Sequence, residues 1–292
     1  MFQGRRVIST TAYGRRRYVQ ILAHYLLQLR GLIDEHHFWV NTDNREDLDY
    51  VQGLARGYPD FFKLVDVPEP FNKKRPVPRI SKFYTGYCEP DVIYLKFDDD
   101  IVWIDDGAVE RLLAFRTANP EYFAVFPNLV NNSLCSHLHQ RMGILPAVPR
   151  VEYKCAGKVS WKRWQTALAC HESFHRLLAA DQLERYRFSR WVLGDFERFS
   201  INAMCWFGHD LAPYAARIRK DDERWLTEYI PRMSGRPTCI TGDSLMAHFA
   251  YFTQRNELEA NSDILTRYQA LVSKPELGTM HRSPPRERQT VA

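Results

Sequence analysis

The chain has 292 residues, 45% hydrophobic and 26% charged, which suits one large α/β domain or two small ones with an ordinary globular composition. The net charge of +5 is gathered in Arg15–Arg17, Lys73–Arg75 and the tail, so it argues against a nucleic-acid footprint and suits phosphate-bearing ligands. Six scattered cysteines without a CxxC pair give no support to a zinc ribbon or a thioredoxin-like motif and fit reduced thiols, with a disulfide left open. The absence of an apolar leader or a run of transmembrane length points to a soluble, cytoplasmic protein, with an anchor upstream of this sequence left open.

Val7–Thr11 reads as a first strand and Ala12–Arg17 as a basic, glycine-containing loop. Ile21, Leu22, Tyr25, Leu26 and Leu29 recur at helical spacing over Tyr18–Leu32. His37–Val40 is a second strand; Asn41–Asn44 then supplies a cap for a helix over Glu46–Arg56. Phe61–Val67 is a third strand, and this alternation predicts a parallel sheet with crossover helices. Pro68–Pro78 is a loop, Ile80–Tyr87 a short helix, Asp105–Thr117 a helix whose end charges match its dipole, and Tyr122–Phe126 a strand. Residues 133–160 carry no period and predict a long irregular connection. Trp161–Leu183 is helical in pattern, Phe199–Phe207 a strand, Gly208–Asp210 a turn, and Asp221–Tyr229 a helix that starts on acids. Thr238–Gly242 is a short strand or turn, Ser244–Phe252 an apolar segment, and Ile264–Leu271 closes the domain ahead of a disordered tail over 273–292. There are no internal repeats.

The most informative stretch is Asp91–Asp106, DVIYLKFDDDIVWIDD. Three acids between two apolar runs are costly unless a cation meets them. In extended chain Asp98 and Asp100 point one way and Asp99 the other, and two carboxylates on one face suit a hard divalent ion such as Mg²⁺ or Mn²⁺. The bland alternative is a solvated acidic turn between two strands.

The DxD after a strand, the later acidic helix start and the histidine in Gly242–Arg255 (GDSLMAHFAYFTQR) together resemble a nucleotide-sugar glycosyltransferase of the GT-A fold, closest in motif to a eukaryotic and viral group with KFDDDI. The resemblance runs from residue 5 to 272 and implies a single GT-A-like (Rossmann-related) domain. A mixed, mostly parallel central sheet would be flanked by helices, with a nucleotide-binding half 1–127 and an acceptor-side half 128–272. It implies that Asp98 and Asp100 hold Mn²⁺ or Mg²⁺ on the donor diphosphate, with Asp99 turned to the sugar or the sheet and His248 as third metal ligand. By its apolar surroundings alone, His248 reads equally as a packed core residue. Asp222 and Glu223 match the acidic pair from which inverting enzymes draw their general base; Glu223 takes the base position, where the family more often has Asp, so Asp222 is its rival. As an alternative, these acids serve only the helix dipole.

Thr10, Thr11, Tyr13 and Arg15 resemble the loop that cradles base and ribose, Asp43 the base-contacting acid, and Arg79 and Lys82 the cations on the diphosphate, though each could be a solvated loop charge. The implied partners are a nucleotide-diphosphate sugar, UDP-sugars favoured, and an unknown acceptor, with no nucleic acid and no membrane span. The implied reaction is metal-dependent glycosyl transfer, with inversion favoured. Two other readings compete. One is a GT-A-like protein that binds nucleotide sugar or a partner without turnover. The other is a zinc hydrolase on the HExxH of His171–His175, with Glu172 as base and Glu197 as a candidate third ligand. There Leu178 and Asp181 occupy positions that the longer HExxHxxGxxH motif gives to Gly and His.

Overall fold

The computed structural model describes residues 1–66 and 77–273, with backbone alone at 77 and 78. Most of the loop expected over Pro68–Pro78, with its Lys73–Arg75 cluster, and the expected tail beyond residue 273 lie outside the described residues.

Nine strands form one mixed sheet: β1 Arg6–Tyr13, β2 Glu35–Val40, β3 Phe62–Val65, β4 Val92–Phe97, β5 Ile101–Ile104, β6 Ala124–Val130, β7 Arg190–Leu193, β8 Ala203–Phe207 and β9 Thr238–His248. The order is β3-β2-β1-β4-β8-β6-β9-β5, with β7 beside β9. β3, β2, β1 and β4 run parallel, joined by the helices α1 Arg16–Gln28, α2 Arg45–Gly57 and α3 Val77–Phe83. β8 enters antiparallel between β4 and β6, and β6 pairs β9 in parallel. The remaining helices are α4 Ala108–Ala118, α5 Ser133–Arg141, α6 Trp164–Ala179, α7 Gly208–Leu211, α8 Asp222–Arg224, α9 Ile230–Ser234, α10 Arg255–Asn261 and α11 Ile264–Ser273. The mixed sheet flanked by helices is the architecture the sequence predicts.

Local signals placed the first half well. Asn44 Oδ1 accepts the Asp47 N–H at 3.0 Å and starts α2, whose first turn carries Glu46 and Asp47. Every residue of β4 is buried, as a central strand flanked on both edges requires.

β7 and α10 fall where no element was expected, and three further departures have a local reason. The first nine residues of the connection predicted as irregular form α5. Asn132 Oδ1 accepts the Leu134 and Cys135 N–H groups, while its Nδ2 donates to Ser200 O at 3.0 Å. Residues 142–163 do lack helix and strand. β6 continues through Pro127, because the register with β9 shifts between Pro127 and Asn128, where a missing N–H is tolerated. Thr238–His248 is one strand of 11 residues rather than a turn followed by an apolar segment. Gly242 suggested the turn, but it is glycine because a Cβ there would strike the Phe188 carbonyl.

The order forces a curl that builds the site. β4 and β5 lie four strand steps apart, about 19 Å in a flat sheet, yet Asp98–Asp100 alone join them, spanning at most about 14 Å. The strands must therefore curl, which brings the carboxyl end of β4 toward β9. One apolar core packs the sheet against its helices, including Leu22, Ile93, Leu95 and Trp206; a second gathers Tyr18, Trp103, Phe174, Phe249 and Tyr268.

Candidate functional site

The acidic turn is held by its backbone. Asp98 N–H donates to Asn202 O at 2.7 Å, Ile101 N–H to Asp98 O at 3.1 Å and Phe249 N–H to Asp100 O at 2.8 Å. The β5–β9 pairing sets Ile101 opposite His248, so the imidazole falls beside Asp100, with Nε2 3.6 Å from Oδ1. One ligand atom from each of Asp98, Asp100 and His248 lies within 4.8 Å of the others. Asp100 and His248 are buried, while the Asp98 side chain is 30% exposed and forms the open side. His248 Nδ1 is 3.0 Å from the Asn131 carbonyl, an acceptor only, so Nδ1 carries a proton and Nε2 is the nitrogen that faces Asp100. Asn131 presents that carbonyl from a left-handed backbone at φ 57°. Two carboxylates and an imidazole nitrogen facing one another form a donor set that fits a hard or borderline divalent ion. Asp99 points away from this set, accepting the Gly14 N–H at 3.2 Å and Arg15 Nε at 3.0 Å; the acids lie in a turn closed by the Ile101 N–H rather than in the extended chain the sequence suggested, so the turn parts their side chains.

Protein cations also reach this cluster. Lys96, buried, donates to Asp98 and, at 2.8 Å, to Ile201 O. Asn202 Nδ2 donates to Asp98 Oδ2 at 3.1 Å. Asp100 Oδ2 lies 2.9 Å from Arg255 Nη2 and 3.3 Å from Arg15 Nη2. Burial alone would raise the Asp100 pKa, but Arg15, His248 and Arg255 together hold it well below the usual carboxylate range.

The later acids converge on the same place through Lys96, which lies in electrostatic reach of Asp98, Asp222 and Glu223. Both acids sit where α8 begins, ahead of a π-helical turn over Trp225–Tyr229. Asp222 accepts the Tyr84 hydroxyl at 3.0 Å. Glu223 Oε1 accepts Arg198 Nε at 2.6 Å and the Cys155 thiol at 3.3 Å. Burial raises both carboxyls, against Lys96 and Tyr84 at Asp222 and against Arg198 at Glu223.

On the other side of Arg15 a cleft of about 440 Å³ opens between the carboxyl ends of β1 and β2, lined by residues 14–17, 41–44, 46 and 47. Arg15 and Asp43 border it. Thr10, Thr11 and Tyr13 lie beneath it, buried in β1; Thr10 Oγ1 donates to Leu95 O at 3.3 Å and Tyr13 OH to Asp47 O at 2.6 Å. Arg79 ties the Val40 carbonyl to Asp66, and Lys82 is exposed on α3. A second cavity of about 530 Å³ lies between residues 140–151 and the start of α6.

Sequence reasoning missed Lys96, Arg255, Asn131, Asn202 and Arg198. Lys96 left a signal, a lone cation in an apolar strand directly before the acids. The others reach the site only through long-range pairing.

The HExxH residues form no metal centre. His171 is fully buried, with Nδ1 2.9 Å from Tyr268 OH and Nε2 2.7 Å from Phe249 O, so both ring nitrogens are engaged in packing. Among the described residues, Asp98, Asp100 and His248 are the only gathered metal-ligating group. Burial lowers His171 and His139 to about 3. In the unfolded chain both protonate near 6.5, so the fold loses stability as pH falls from about 6.5 toward 3, by up to about 1.4 kcal/mol per unit for each ring. Urea denaturation across pH 7 to 4 is expected to show this slope, reduced in His171→Phe.

No protein-family model matches the chain, and no curated protein matches it. Among solved structures it is similar to a 4-diphosphocytidyl-2C-methyl-D-erythritol synthase, with 11% identity, a TM-score of 0.42, and 91% of this chain and 98% of that one covered. It is similar also to a CMP:2-keto-3-deoxy-manno-octonic acid synthetase complexed with CTP, with 13% identity, a TM-score of 0.47, and 91% and 100% covered. A mycobacterial protein gives 12% identity, a TM-score of 0.43, and 92% and 75% covered. Likenesses this distant decide no chemistry, and the fold stands on its strand order. No described helix is long and apolar enough to cross a membrane.

Proposed function

We propose that the chain is a glycosyltransferase that moves a sugar from a nucleotide-diphosphate sugar, a UDP-sugar before others, to an acceptor hydroxyl, with Mn²⁺ or Mg²⁺. The observation that carries this reading is the Asp98–Asp100–His248 donor set, joined through Arg15 to a cleft large enough for a nucleoside. The metal, held by those three side chains, would supply Lewis-acid stabilisation of the charge gathering on the leaving diphosphate. Base and ribose occupy the cleft, with Arg15 and Asp43 on its wall; Thr10, Thr11 and Tyr13, fully buried in β1 and outside its lining, support it from within and do not touch the nucleotide. Arg15 and Arg255 stand beside the acids as cations for the phosphates, whereas Arg79 is taken up by the Val40 carbonyl and Asp66, and neither it nor Lys82 lines the cleft.

Glu223 is the general base and Asp222 its buried neighbour. Glu223 retains an oxygen, Oε2, without a hydrogen bond among the described residues, and its raised pKa suits proton abstraction. It takes the acceptor O–H proton as the acceptor oxygen bonds to the anomeric carbon. The bond from that carbon to phosphate breaks, and the nucleoside diphosphate leaves with the electron pair. Attack opposite the leaving group inverts the anomeric centre.

One observation favours a second reading, a nucleotide-sugar-binding protein without turnover: Lys96, Arg15 and Arg255 already balance the three acids. Thermal shift with UDP- and GDP-sugars, with and without Mn²⁺, tests both, alongside mass spectrometry of the donor. Metal-dependent stabilisation with donor consumption supports the enzyme, stabilisation without consumption the binding protein, and no shift with any donor overturns both.

A further inference from the structure

The acceptor side of the cluster carries an aromatic ledge. Phe252 is 71% exposed, and its ring stands edge-on to Trp161 with centroids 5.0 Å apart. The pair is fixed rather than loose. Thr253 Oγ1 donates to the Trp161 carbonyl, and Gln254 Nε2 donates to Ser160 O at 2.8 Å and Arg163 O at 3.2 Å. The turn that presents Phe252 therefore clamps the backbone that presents Trp161. Tyr251 connects the ledge to the reacting groups. Its ring centroid is 6.3 Å from that of Trp161 and 4.9 Å from that of His248. Ser200 lies against both Tyr251 and Cys155, 3.1 Å from the thiol, which in turn meets Glu223 at 3.3 Å.

We infer that the Trp161–Phe252 ledge is the acceptor subsite and that the acceptor is a saccharide, its ring stacked on Phe252 with a hydroxyl turned toward Glu223. Where transfer occurs rests on the function proposed above; that the ledge takes a sugar ring does not. The Phe252 ring, solvent-facing and braced edge-on by the half-buried Trp161, offers one fixed aromatic face that matches the apolar C–H face of a pyranose, whose hydroxyls stay in water at the rim. A nucleobase would stack as well, but the donor cleft shares no lining residue with the ledge.

Saturation-transfer NMR with the methyl pyranosides of glucose, galactose, mannose and xylose tests the assignment on the full chain. At least one is expected to bind with its ring C–H protons saturated. Phe252→Ser, at an exposed position, should weaken it about tenfold, and Phe252→Tyr should restore it. Metal-dependent stabilisation by UDP-sugars should be the same in all three proteins. Absence of binding across the panel, or binding untouched by Phe252→Ser, overturns the inference. So does a Phe252→Ser protein that loses its response to UDP, which would make the ledge a nucleobase platform. If no donor stabilises any of the proteins but the pyranoside result holds, the donor reading falls and the saccharide ledge stands.

Discussion

Replacing Asp100 by asparagine is expected to lower transfer by about 10³-fold and to remove the Mn²⁺-dependent stabilisation by donor. Asparagine keeps the shape of the side chain and can still accept the hydrogen bond from Arg255, so what is lost is charge. That charge serves two purposes. It supplies the innermost ligand of the Asp98–Asp100–His248 set, and it neutralises Arg255 and part of Arg15 in a buried place. Removing one partner of a buried pair costs about 3–5 kcal/mol; because Arg15 and Arg255 stay partly exposed, about 2–3 kcal/mol is expected here. Urea denaturation without metal measures the stability term, and donor-dependent thermal shift with Mn²⁺ measures the other. An Asp100→Asn protein that is destabilised yet still responds to Mn²⁺ would reduce the acid to a structural counter-ion.

Glu223→Gln is expected to lower kcat by about 10²–10⁴-fold while leaving the response to donor and metal intact. Glutamine preserves the acceptor for Arg198 Nε and for the Cys155 thiol, so the local fold should hold. The pH profile separates a base from a bystander. Burial raises the Glu223 carboxyl above its ordinary 4.5, so the wild-type rate should fall as pH drops through that raised value, when the base becomes protonated. The residual rate of the glutamine variant should lack this acid limb. Asp222→Asn should act differently, lowering stability more than rate, because Asp222 is a buried partner of Tyr84 and neighbour of Lys96.

Much of the parallel half was legible in the sequence, because its signals are local: period-two strands, the Asn44 cap and acids in the first turn of α2. The opposed directions of Asp98 and Asp99 were expected from extended alternation, but they arise from a turn closed by the Ile101 N–H, which the apolar runs on either side did not reveal. What was not legible depends on distant partners. α5 hides because serine, cysteine and histidine blur its apolar spacing, and its cap, Asn132, is fixed by contacts with Ser200 and Asn202. β9 looked interrupted because Gly242 answers to the approach of Phe188, not to a turn. Arg255 became part of the site only through the β5–β9 pairing, across 155 residues from Asp100. The HExxH motif shows the converse. Its helix was legible, but only tertiary packing reveals that Tyr268 and Phe249 take both nitrogens of His171.

In the proposed enzyme Asp98, Asp100 and His248 hold a divalent ion beside the donor diphosphate. Electron spin-echo spectroscopy of Mn²⁺ bound with UDP tests it most directly, because it reads the nitrogen and phosphorus nuclei around the ion. The account predicts a single bound Mn²⁺ coupled to the ³¹P of UDP and to one ¹⁴N, with the nitrogen coupling lost in His248→Gln and binding lost in Asp100→Asn. A Mn²⁺ signal with unchanged nitrogen coupling in His248→Gln, or binding that persists in Asp100→Asn, would place the metal elsewhere and contradict it.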